Sequence, residues 1–252
     1  MVLFLLGAIG DSLYMIAFKK PAFLHYYGTL TDIPSTGVRV LQAHFPFYNN
    51  LNDTHKLYFR HRVNSFTDRY TFAGRGIDVT EEMQVSIAAT WVMLTFGMRK
   101  YLPDLFSVIV LYPDAFTAAD GEERYCEFNP MAKAVVFSWP YFKEGMELIN
   151  DNFNPGLYQF ARIMHMWYRL NDEADATASL YCSRYEKLLD YLDKPHNRDR
   201  IQEAGYFTED SYHTNEQFLA IVLQHFFETP DEFKSKLYGL HRKIAIMINC
   251  TH

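Results

Sequence analysis

Apolar positions recur at helical spacing most clearly between Asn154 and Leu170. Leu157, Phe160, Ala161, Met164 and Trp167 share one face, which should meet a core. Asn154 suits an N-cap, and Pro155 suits the first helical position, where no N–H is needed. A second stripe runs along the same helix: Tyr158, Arg162, His165 and Arg169 stand at i, i+4, i+7 and i+11, with Gln159 at its flank. Upstream, Asn52 can cap a helix reaching about Asp68, with Leu57, Val63 and Phe66 turned inward. Thr80 can cap another to about Phe96, closed by Gly97. Its run VSIAATWVMLTF is apolar nearly all round, which predicts a buried central helix. Two short β-branched runs, Phe106 to Tyr112 and Ala134 to Trp139, are stopped by Pro113 and Pro140 and read as buried strands. Ser183 to Leu192 reads as helical. Thr214 and Gln217 form a capping-box start for a helix to Thr229, and Pro230 opens a last helix to about Asn249.

Between these elements the periodicity lapses. Pro21 to Arg39 contains Pro21, Gly28, Pro34 and Gly37 and reads as irregular, part of a lead-in over residues 21–44. Phe72 to Val79, with Gly74 and Gly76, reads as a turn region. Asp114 to Asn129 is mostly polar, Leu170 to Ala176 is an acidic loop, and Asp193 to Arg200 is an exposed polar run. Met1 to Phe18 is apolar apart from Gly7, Gly10, Asp11 and Ser12, and Lys19-Lys20 follows. It has no basic n-region and no small-residue cleavage site, so a cleaved signal peptide fits poorly. Its length reaches the lower limit for a bilayer span, but Asp11 near its middle would cost roughly 2.5–3.5 kcal/mol on insertion scales. Two readings of residues 1–20 stand: a membrane anchor that keeps the lysines cytoplasmic, or an apolar helix docked on the domain.

Composition narrows the function classes. At 252 residues the chain fits one large domain, or one domain with an appendage. A hydrophobic content of 49%, with 21 Phe and 18 Tyr, allows a sizeable core. A net charge of −6 argues against a nucleic-acid surface, which should be basic. Cys126, Cys182 and Cys250 are odd in number, far apart and outside any C-x-x-C, so they read as reduced thiols, not as a disulfide frame or a zinc site. Ser138 lacks a G-x-S-x-G context, and no cysteine sits in a recognisable catalytic frame.

Taken in order, several segments resemble the Mlc titration factor family, the glucose-regulated zinc peptidases. They are FYNNL at Phe47 to Leu51, RVNSF at Arg62 to Phe66, IAATWVMLTFG at Ile87 to Gly97, IVLYPDAF at Ile109 to Phe116, VVFSW at Val135 to Trp139, and FLAIVLQHFFETP at Phe218 to Pro230. The resemblance implies a zincin-like α+β fold over residues 45–252: mostly helical, with a small mixed sheet packed against the active-site helix. It also implies a zinc ion. Two His at i and i+4 of one helix reach a single Zn²⁺, and a Glu after the first acts as base toward metal-bound water. A third ligand, a Glu, is expected just before the aromatic pair of a later helix. Here Tyr158 and Arg162 occupy the two His positions, Gln159 that of the base, and Gln224, ahead of Phe226-Phe227, that of the Glu ligand.

These departures change the chemistry. A tyrosine phenol is a poor ligand while protonated, glutamine takes no proton from water, and arginine is always charged and has no lone pair to offer. Like charges a few Å apart repel by several kcal/mol at intermediate dielectric, so Arg162 disfavours Zn²⁺. The chain therefore reads as a pseudopeptidase with no cofactor and no catalytic residue. Gln159 is its vestigial base, and Tyr158, Arg162 and Gln224 are its vestigial ligand positions. Arg162, Tyr158, His165 and Gln224 are candidates for binding a ligand in the old cleft. Arg162 could take a carboxylate or phosphate in a fork, or pair with a local acid. Gln159 and Gln224 could hydrogen-bond across the two helices that zinc would otherwise join. No relocated metal is placed by the spacing: His225 points about 100° away from Gln224, and His213, Asp172, Glu173 and Asp175 fall in no ligand frame. The expectation is a peptide- or protein-binding module in the bacterial cytoplasm or on the inner face of its membrane, attached through residues 1–18. The family implies a transcriptional regulator as partner; nucleic acid is excluded. The alternative is an active peptidase or other hydrolase with non-standard ligands in the same cleft.

Overall fold

The computed structural model describes Tyr14 and residues 23–148, 154–208 and 214–250. The anchor and docked-helix readings of residues 1–20 therefore fall outside the described residues. Among the described residues no helix is long and apolar enough to cross a membrane.

The buried central helix is α4 (Glu81–Thr95), with Thr80 Oγ1 accepting from the Met83 N–H at 3.3 Å and almost every residue enclosed. Before it come α1 (Ser35–His44), α2 (Pro46–Asn49), α3 (Asp53–Arg69) and strand β1 (Thr71–Gly74). After it come β2 (Val108–Tyr112), the two-residue strands β3 (Phe116–Thr117) and β4 (Glu123–Arg124), β5 (Cys126–Asn129), β6 (Ala134–Ser138) and α5 (Trp139–Glu147). The second half is helical: α6 (Pro155–Leu170), α7 (Ala176–Leu192), α8 (Pro195–Glu203), α9 (Asn215–Glu228), α10 (Pro230–Lys236) and α11 (Tyr238–Met247).

The main sheet runs β1-β2-β6-β5. β1, β2 and β6 are parallel, and β5 pairs antiparallel to β6 at one edge, with Phe128 opposite Val135. The antiparallel edge strand lies against α6. This is a mostly helical α+β fold with a small mixed sheet against the helix of interest. Phe160 of α6 is the hub: its ring centroid lies 5.3 Å from Trp91 of α4 and 5.1 Å from Phe137 of β6, both edge-on. Such pairs add to area burial, and here they lock α6 to both sheet and central helix.

Several expectations need correcting. The lead-in is not irregular throughout, because α1 begins at Ser35. Gly37 there allows close approach rather than a break: an added Cβ would lie 3.1 Å from Val85 of α4. Ile33 and Leu41 join the same core as the rest of the chain. Leu57, expected inward, is 43% exposed, while Val63 and Phe66 are fully buried. β1 runs from Thr71 into the expected turn region Phe72 to Val79 as far as Gly74, and the polar stretch 114–129 contains β3, β4 and β5. These strands are two to four residues long, too short for alternation to register. Pro140 does not only stop β6; it sits in the first turn of α5. The acidic loop ends in an N-cap, where Asp175 Oδ1 accepts from the Thr177 and Ala178 N–H groups at 3.0 Å, so α7 starts seven residues before the expected Ser183. Residues 195–203 are helical, with Asn197 and Ile201 buried. The last helix breaks in two at Leu237.

Candidate functional site

Helices α6 and α9 pack side by side, and every singled-out side chain lies on one of them. The start of α6 is fixed as its sequence predicts: Asn154 Oδ1 accepts from the Leu157 N–H at 2.8 Å, and Pro155 follows. Thr214 Oγ1 accepts from the Gln217 N–H at 3.1 Å and starts α9.

Tyr158 and Arg162 come together. The Arg162 guanidinium lies over the Tyr158 ring, 5.7 Å from its centroid, a cation–π contact across one helical turn. Arg162 is exposed, and no carboxylate among the described residues pairs with it. Gln159 is buried and reaches the sheet, where its Oε1 accepts from the Cys126 thiol of β5 at 3.8 Å. Burial pushes that thiol up to about 11, against the pull of Arg162 and Arg124, so it stays protonated near neutrality and serves as a donor. Arg162, Gln159 and Cys126 thus form one neighbourhood between α6 and the edge strand.

Gln224 is buried, but it does not bond to Gln159 across the helices. Its Nε2 makes a long contact, 3.5 Å, to Glu228 Oε2 one turn along α9. The link between the helices runs through Glu228 instead. Asn154 Nδ2 donates to Glu228 Oε1 at 2.8 Å and to the Gly145 carbonyl of α5 at 2.7 Å. One asparagine therefore caps α6, ties it to the C-terminal turn of α9 and fastens both to α5.

His165 faces a different neighbour. It is 4% exposed, with Nδ1 3.0 Å from the Tyr181 hydroxyl and its ring edge-on to Tyr185, both on α7. Burial, helped by Arg169, lowers its pKa to about 4. It is a neutral core imidazole, apart from the Arg162 neighbourhood. His225 is also buried and lowered by desolvation, among Tyr206 and Phe207.

Sequence reasoning missed Cys126 and Glu228. Glu228 had a signal, since it follows Gln224 by four residues and so shares its helix face. Cys126 had none, because its role exists only once β5 is laid beside α6.

Zinc takes thiolate, imidazole or carboxylate ligands. Tyr158, Gln159, Arg162 and Gln224 offer a phenol, two amides and a guanidinium. That donor set does not fit the ion, and among the described residues no group of three His, Cys, Asp or Glu side chains is placed to hold one. No curated protein shows significant similarity to the chain. The family model of the glucose-regulated metallo-peptidase M90 matches residues 28–247, a span that includes the sheet, α6, α9 and every side chain placed above, and the chain belongs to that family.

Proposed function

We propose that this member of a metallo-peptidase family is a non-catalytic homologue that binds a peptide or protein carrying an acidic group. A metallo-peptidase needs a metal with an open coordination position and a base for the water bound there. In our reading, Tyr158, Arg162 and Gln224 stand at the ligand positions and Gln159 at that of the base, and none of the four can do that work. The observation that carries the reading is Arg162: a fixed positive charge, exposed, stacked on Tyr158 and unpaired with any carboxylate among the described residues. A guanidinium held this way suits a carboxylate in a fork, and Tyr158 beside it can add a neutral hydrogen bond.

The test is metal analysis and peptidase assay of protein purified without chelator. We expect well under one equivalent of zinc and no peptide cleavage above a buffer control. Stoichiometric zinc, or hydrolysis that Gln159→Ala abolishes, would overturn the reading in favour of a peptidase with non-standard ligands.

A further inference from the structure

A cleft of about 1030 Å³ opens where the end of α9, with α10 and α11, faces α1 to α3 and the start of α6. Tyr158, Gln159, Arg162 and Gln224 are not in its lining, so it is separate from the Arg162 neighbourhood and does not rest on the reading above. Its walls are mostly apolar, with Phe47, Met93, Leu157, Phe226, Phe227 and Ile246 among them. Large, mostly apolar concavities with a few polar groups are the usual form of a small-molecule site, at about 300–1,000 Å³.

The polar groups indicate what the apolar body should carry. Lys234 and Arg242 line the cleft from α10 and α11. Within α10 the Glu232 carboxylate is taken by Lys236 at 2.8 Å, and neither Lys234 nor Arg242 pairs with a carboxylate among the described residues. Two acids line the cleft as well: Glu228, whose oxygens already accept from Asn154 at 2.8 Å and from Gln224 at 3.5 Å while it keeps its charge, and Asp231, so what an incoming group can use is the free donors of Lys234 and Arg242. His241 lies close to Lys234 and Asp231; burial and Lys234 lower its pKa, so it adds a neutral donor or acceptor. An extended peptide would bring a backbone N–H and C=O at every residue, more than the few polar side chains set among the phenylalanine, methionine and leucine of these walls, Asn50, Asn52 and Thr90 among them, can pair. A molecule with one charged end and a hydrocarbon body brings none.

We propose that this cleft binds a fatty-acid-like anion, its chain against Phe47, Met93, Leu157, Phe226 and Phe227 and its carboxylate at Lys234 and Arg242. The probe is decanoate, titrated calorimetrically into the full-length chain, with decyltrimethylammonium as the same chain bearing the opposite charge. Decanoate should bind saturably at one per chain with a negative heat-capacity change, and the cation should bind far more weakly. The double variant Lys234→Gln/Arg242→Gln should weaken decanoate about tenfold or more. Ile246→Trp, at a position 40% exposed and so tolerant of added bulk, should block binding while the circular dichroism and melt stay those of the parent. Absence of saturable decanoate binding, equal affinity for the two probes, or undiminished binding in a folded Ile246→Trp variant would each refute the site. Sedimentation supplies the other arm: a dimer that Ile246→Trp dissolves, with no decanoate binding in the parent, would assign the cleft to a second copy and overturn the proposal.

Discussion

Arg162 and His165 sit one turn apart on α6, and their surroundings give them opposite behaviour. Arg162 is exposed and unpaired with any carboxylate among the described residues, so removing it leaves no buried charge behind. Arg162→Ala should shift the unfolding free energy by no more than about 0.5 kcal/mol. It should weaken an acidic peptide about ten- to a hundredfold, the worth of one charge-assisted hydrogen bond; a urea titration and a binding isotherm on the same variant read both. His165 is the reverse case. Its folded pKa of about 4 lies below the unfolded value of about 6.5. Above about pH 6.5 both states are neutral there and it contributes no pH dependence. As pH falls from 6.5 to 4, the unfolded chain takes up a proton that the folded one refuses, so stability falls, by up to about 3 kcal/mol from this residue. His61, His225 and His241 are lowered in the same sense and add to the slope. His165→Gln should flatten the loss between pH 7 and pH 5 by about one proton's worth. An unchanged slope would mean His165 titrates normally.

At the scale of elements, the described residues join α6 and α9 through a polar relay at Asn154 and Glu228, not through a pair of glutamines. Asn154 contributes an N-cap and two side-chain donors, and both acceptors, Glu228 and Gly145, belong to other helices. Asn154→Ala should cost about 2–3 kcal/mol: roughly 1 for the cap, and the rest for the two hydrogen bonds lost at Glu228 and Gly145. Asn154→Asp keeps the cap but sets a second carboxylate against Glu228, so it should be destabilising near neutral pH and recover in part on acidification. Denaturant midpoints at constant m-value would check both. The helices around this relay were legible because each carries a cap and a sustained period: Asn52, Thr80, Asn154 and Thr214 all cap where their residue types predict. The strands β1 and β5 were not legible. Four residues give no period, and each is an edge strand defined by one neighbour that is distant in sequence or inverted in direction. Likewise α1 was hidden behind Pro34 and Gly37, since a glycine used for helix contact and one used for a turn look alike in sequence.

Over the whole molecule, an ion bound only by the folded state would show as added stability, about 2.7 kcal/mol when the free ion is a hundredfold above its dissociation constant. With a donor set that does not fit zinc, melting curves with and without EDTA should superimpose. A downward shift in chelator would show that some set of side chains holds a structural metal after all. The fold is held in any case by an aromatic core centred on Phe160, where Trp91, Phe106 and Phe137 from three other segments converge on one ring of α6.

The sequence alone determined that α6 is an amphipathic helix with Tyr158, Gln159 and Arg162 in sequence, and that α4 is enclosed on all sides. Both follow from period and capping, which are local properties of the chain. It also determined the donor chemistry of the four positions, because a guanidinium and an amide are what they are in any fold. Tertiary structure decided which of those side chains meets what. Arg162 faces outward and His165 inward although they share a stripe, because β5 and α7 pack on different sides of α6. Gln159 finds Cys126, and Gln224 finds Glu228, through contacts set by strand order and helix packing, which no spacing along the chain encodes.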